Sequence, residues 1–106
     1  MAELAAEILT ALEGVTDPEI GIDLADLGLI YRAVHENGAV EVDVTLTTRA
    51  CPLGEMIVGD IRSRLDARFP DASRIDVNLV WEPQWHPDLI TDRGRAQLGR
   101  PARSLP

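Results

Sequence analysis

The sulfur chemistry open to this chain rests on one residue. Cys51 is its only cysteine, set in Leu46-Thr47-Thr48-Arg49-Ala50-Cys51-Pro52-Leu53-Gly54. The residues before it carry a strand pattern and those after it a helix pattern. That order predicts a thiol at a helix N-terminus, where unpaired backbone N–H groups and the positive end of the helix dipole favour thiolate. A thiolate is the better nucleophile and the better metal ligand. The plainer alternative is a small buried apolar residue, as free cysteines often are.

Three further groups carry chemistry. Asp17-Pro18-Glu19, with Asp23 and Asp26 behind, offers carboxylates that could move protons or bind metal near the thiol. The same residues also read as helix caps and solvated acids. Thr45, Thr47 and Thr48 suit a strand, and Thr48 could cap the following helix. Their hydroxyls could equally hydrogen-bond a thiolate and lower its pKa. Trp81, Trp85 and His86 form the third group. Trp81 fits the core side of a strand. Trp85 stands between Pro83 and Pro87, either docked back on the domain or offered to a partner, with His86 beside it.

Donor counting narrows the options. One cysteine and two histidines cannot close a structural zinc site. An iron–sulfur cluster takes four cysteines in the common case. Any cluster here would need two chains sharing ligands, a partner protein, small-molecule thiols or carboxylates, which points to transient handling and away from a stable carrier within one chain. No Gly-rich phosphate loop is present. A Cys–His catalytic pair would need His86, because His35 is expected far along its strand from Cys51.

The elements that must position these groups follow from periodicity. Leu4, Ile8, Leu9 and Leu12 form one stripe of a helix over Ala2 to Leu12. Asp17 before Pro18 reads as a cap opening a short turn. Leu29 to Glu36 and Ala39 to Leu46 alternate as strands around Asn37-Gly38, a strong hairpin signal. The two-residue turn pairs His35 with Val40, Ala33 with Val42, Tyr31 with Val44 and Leu29 with Leu46 on an apolar face. Arg32–Asp43 and Val34–Glu41 fall on the other face. Leu53, Met56, Ile57, Ile61, Leu65 and Phe69 line a main helix from Pro52 to Phe69. Arg74 to Trp81 alternates as a third strand, which should run parallel to the second. A last helix is expected from Thr91 to Leu98, stopped by Gly99.

The expected fold is α+β: a two-layer sandwich, order α-β-β-α-β-α, with a three-stranded mixed sheet and helices on one face. Residues 1–99 read as one domain and 100–106 as a flexible tail. A net charge of −8 counts against nucleic acid or an anionic membrane as partner. A lone cysteine forms no internal disulfide, and neither a signal peptide nor a membrane-spanning run is visible. The expected location is the reducing cytoplasm.

Four motifs in order carry a resemblance. Val15-Thr16-Asp17-Pro18-Glu19-Ile20, Asp26-Leu27-Gly28-Leu29-Ile30-Tyr31, Thr45-Leu46-Thr47-Thr48 leading to Cys51-Pro52-Leu53, and Val80-Trp81-Glu82-Pro83-Gln84-Trp85 resemble the SufT/PaaD-like family of metal–sulfur cluster assembly factors. The likeness runs from about Leu4 to Gly99. It implies a small α/β sandwich that helps mature iron–sulfur proteins, with assembly proteins and apo client proteins as partners and a homodimer as an option. It places a functional pocket on Asp17, Glu19, Thr47, Thr48 and Cys51, with the thiol as reactive group or transient cluster ligand. PaaD proteins carry an extra cysteine-rich C-terminal segment. This sequence shows none, so it looks like the stand-alone SufT type. The alternative role is a non-catalytic adaptor that recruits clients through Trp85 and His86.

Overall fold

The computed structural model describes residues 4–17, 21–47 and 54–103. Its elements are α1 (Ala6–Ala11), β1 (Ile30–Glu36), β2 (Ala39–Val44), α2 (Gly54–Arg68), β3 (Arg74–Leu79), a 3-10 turn (Pro87–Leu89) and α3 (Asp92–Arg103). The expected α-β-β-α-β-α order is the one observed. The parts of α1 and α2 expected before Leu4 and Gly54 lie outside the described residues.

β2 is the central strand of a three-stranded sheet ordered β1-β2-β3. β1 pairs with it antiparallel and β3 parallel, because the hairpin reverses the chain and α2 carries it back across the sheet. Asn37 and Gly38 both hold positive φ, at 52° and 78°. That is the conformation a two-residue hairpin turn demands.

The hairpin register holds from Glu36↔Ala39 to Arg32↔Asp43 and then shifts, so that Ile30 faces Val44. The expected Tyr31–Val44 and Leu29–Leu46 pairs are therefore corrected. Tyr31 is the extra residue of a β-bulge, which leaves one residue unpaired and resets the alternation. The gain is core: Leu29 and Ile30 are both buried although adjacent in sequence. Leu29 O accepts from Thr45 N–H at 2.8 Å and continues the pairing past the bulge.

The core lies between the sheet and the helices α1 and α2. Val40, Val42 and Val44 of β2 meet Ile57, Ile61 and Leu65 of α2, with Ile8, Leu12, Val15 and Leu24 closing one side. Residues 57, 61 and 65 repeat every four positions and form the buried row of α2. Met56 was expected in that row but is 56% exposed, since it sits a further 100° around the helix from Ile57. Leu79 is 39% exposed, because β3 is a sheet edge and α2 covers only part of it.

α3 starts one residue later than expected and runs past Gly99 to Arg103. A glycine lacking a left-handed turn costs a helix only about 1 kcal/mol and does not end it. β3 stops at Leu79, two residues short of Trp81.

Candidate functional site

The loop joining α1 to β1 carries the acidic group and is stitched to the end of β2. Leu24 N–H donates to Val15 O at 3.0 Å, Leu29 N–H to Leu24 O at 3.0 Å, and Thr45 N–H to Leu29 O. Each bond links one strand-like stretch to the next. The chain around Asp17 and the chain leading into Thr47 are thus fixed at the same end of the sheet. His35 pairs with Val40 beside the hairpin turn, at the other end, as expected.

Asp17 is 5% exposed. Its N–H donates to Ile22 O at 3.1 Å, and its carbonyl accepts from Gly21 N–H at 2.6 Å. A carboxyl group so far from water needs partners, and its position within a hydrogen-bonded turn fixes where it sits. Thr45 is buried, whereas Thr47 is exposed at the bend where β2 ends. Glu19, Thr48 and Cys51 lie outside the described residues. Of the five pocket residues, the described structure thus positions Asp17 and Thr47.

The other acids are structural. Asp23 Oδ1 accepts from Gly14 N–H at 3.2 Å. Asp26 is buried and holds the C-terminal segment: its Oδ1 accepts from Thr91 Oγ1 at 2.9 Å, and its carbonyl accepts from Thr91 N–H at 2.8 Å. Thr91 Oγ1 in turn accepts from Gly94 N–H at 3.0 Å and caps α3. The sequence pattern Thr91-Asp92 signals this cap, but nothing local in it signals Asp26 as the anchor.

Trp85 is half-buried, and its Nε1–H donates to Leu27 O at 2.7 Å. The indole is therefore docked on the domain. His86 is exposed, and its Nδ1 accepts from Asp88 N–H at 3.1 Å at the start of the 3-10 turn. Trp81 packs against the core from partial exposure. Among the described residues no group of three or more His, Cys, Asp or Glu side chains is arranged to hold a metal ion. No helix among them is long and apolar enough to cross a membrane.

Residues 5–78 match the family model described as iron–sulfur cluster assembly protein. The chain is 40% identical over 86 residues to the Fe–S protein maturation auxiliary factor SufT of Staphylococcus aureus (strain USA300), covering 80% of this chain and 97% of that protein. It is 37% identical over 97 residues to the auxiliary factor YitW of Bacillus subtilis (strain 168), covering 91% and 94%. A crystal structure of a domain of unknown function from Bacillus anthracis superposes with a TM-score of 0.81 at 34% identity, over 88% of this chain and 89% of that one.

Proposed function

The chain belongs to the iron–sulfur cluster assembly protein family, and from that membership we propose that it is an accessory factor in cluster assembly, cluster transfer or target-protein maturation. Cys51 is the reactive thiol or transient cluster ligand in this reading. Asp17, Glu19, Thr47 and Thr48 are the polar groups around it. The cluster is cargo, not a resident cofactor.

The observation that supports the reading is the chain of backbone bonds that ties the loop of the buried Asp17, through Leu24 and Leu29, to Thr45 at the end of the sheet, shortly ahead of Cys51 in the chain. One thiol per chain leaves most positions of a four-ligand cluster to be filled by a second chain, a partner protein or a small thiol. Weak, shared ligation suits a protein that must also release its cargo. The partners are then iron–sulfur assembly proteins and apo clients, with a shared cluster providing a reason to dimerise.

The adaptor reading assigns client contact to Trp85 and His86. The half-burial of Trp85 and its bond to Leu27 favour a structural part for that indole, so the thiol reading is preferred. The deciding experiment is anaerobic cluster reconstitution followed by transfer to an apo iron–sulfur protein, using wild type and Cys51→Ala. Loss of uptake and transfer with an unchanged melting curve supports the proposal. Full uptake by the mutant sinks it.

A further inference from the structure

Alternation along β2 sends Val40, Val42 and Val44 into the core and leaves Glu41 and Asp43 on the face turned away from α2. A groove of about 610 Å³ opens on that face. Arg32 and Asp43 line it from the strands, Leu4 from the N-terminal side, and Val80, Glu82 and Leu89 from the segment after β3.

Two properties of the lining decide what fits there. The first is exposed apolar surface. Leu4 and Leu89 are 46% and 44% exposed, so an occupant that covers them extends past the cavity onto its rim. A chain segment does this, whereas an enclosed small ligand does not. Apolar surface rimmed by polar groups is the character of a contact site between proteins. The second property is uncompensated negative charge. Asp43 stands opposite Arg32 in the hairpin register, yet the Arg32 guanidinium is paired with Glu41. Asp43 is left with the Asn78 amide, which donates to its Oδ1 at 3.0 Å. An amide offsets no charge. Glu82 is exposed, and no cation stands within ion-pair distance of it among the described residues.

We infer that this groove docks a basic, apolar segment of a partner protein. Its apolar side chains lie against Leu4, Val80 and Leu89, and the Lys or Arg side chains between them meet Asp43 and Glu82. Lys and Arg suit such a lining because their stems cover apolar surface while the charged head reaches a carboxylate. The net charge of −8 draws a basic partner in and repels an acidic one. Docking here requires neither the thiol nor a cluster.

The test uses the blocked peptide acetyl-Leu-Arg-Leu-Arg-Leu-amide and its Gln-for-Arg counterpart, titrated into the full chain and followed by NMR. The Arg peptide should saturate, with amide shifts at Leu4, Asp43, Val80 and Leu89, and the Gln peptide should bind several-fold more weakly. Asp43→Asn with Glu82→Gln keeps both shapes and removes both charges, so affinity for the Arg peptide should fall about fivefold. Asp60→Asn with Asp66→Asn, at exposed positions of α2, removes the same net charge from the other face and should leave affinity nearly unchanged. Melting curves establish that each variant is folded. Absence of saturation, shifts confined to other regions, equal affinity for the two peptides, or equal loss in the two double variants overturns the inference. So does 4-phenylbutylamine binding as tightly as the Arg peptide, which would assign the groove to a small organic cation.

Discussion

Tyr31 shows how one inserted residue changes the chemistry of a surface. The bulge turns its ring to the outer face, and burial pushes its hydroxyl pKa above the usual 10.0. The consequence for stability has a definite sign. The unfolded chain releases this proton at a lower pH than the folded one, so folding stability falls as pH rises through that interval. It is unaffected below it. Tyr31 is the only tyrosine, and all ten basic residues are arginine, so no lysine titration overlaps it. Denaturant unfolding between pH 8 and 11 should show wild type losing stability above about pH 10, with the loss absent in Tyr31→Phe. At neutral pH the same variant should be equally stable or up to about 1 kcal/mol more stable, since it removes an unpaired buried group. A clear destabilisation would mean that the hydroxyl has a partner. Glu41 has the opposite dependence: hydrogen bonding and charge attraction from Arg32 hold its carboxyl below the usual 4.5. Its stabilisation is present above the ordinary glutamate range and disappears as acid protonates it. The pair is partly exposed, so salt should weaken it.

Between residue and molecule, the segment after β3 is the element whose placement depends on few contacts. It is held by Trp85 on Leu27, by Thr91 on Asp26 and by close approach at two glycines. A Cβ on Gly28 would come within 2.4 Å of Leu89 O, and its φ is +75°. Gly28→Ala should therefore cost about 1–3 kcal/mol from backbone strain, with the displacement of Leu89 adding to it. Thr91→Val deletes the cap and the bond to Asp26 while keeping shape. It should cost about 1 kcal/mol, measured by thermal unfolding, and should lower helicity at the C-terminal end. The elements themselves were legible where local rules dominate. Asn37-Gly38 gave the hairpin, and the four-residue spacing of Ile57, Ile61 and Leu65 gave α2. The bulge was not legible, because strict alternation and alternation with one inserted residue differ only in whether Ile30 or Tyr31 faces the core. Both are good strand residues. Nor was the Asp26–Thr91 anchor, since 65 residues separate its partners and the acid looked like any other in an acidic loop. Of the candidate site, residue types and order were legible in the motifs. The link between the Asp17 loop and Thr45 was not, because it runs through backbone bonds from Val15 by way of Leu24 and Leu29.

At the scale of the whole molecule the contacts fall into two tiers. Sheet, α1 and α2 share one aliphatic core in which Val40, Val42, Val44, Ile61 and Leu65 are fully buried. The segment from Val80 onward touches that body through Trp81, Trp85, Ile90 and a handful of hydrogen bonds. Regions with few buried apolar contacts open locally at lower free energy than the core. Native-state hydrogen exchange should therefore show the amides of α3 exchanging through a sub-global opening, while those of β2 and central α2 exchange only on global unfolding. Two variants separate the tiers. Ile61→Ala leaves a cavity in the shared core and should lower global stability by about 2–5 kcal/mol, raising exchange everywhere. Thr91→Val should raise exchange in α3 and leave β2 nearly unchanged. Equal acceleration of β2 and α3 by Thr91→Val would show one cooperative unit instead. The Asp17 loop is tied through Leu24 and Leu29 to Thr45, just past the end of β2, so it should keep its geometry while the C-terminal segment opens.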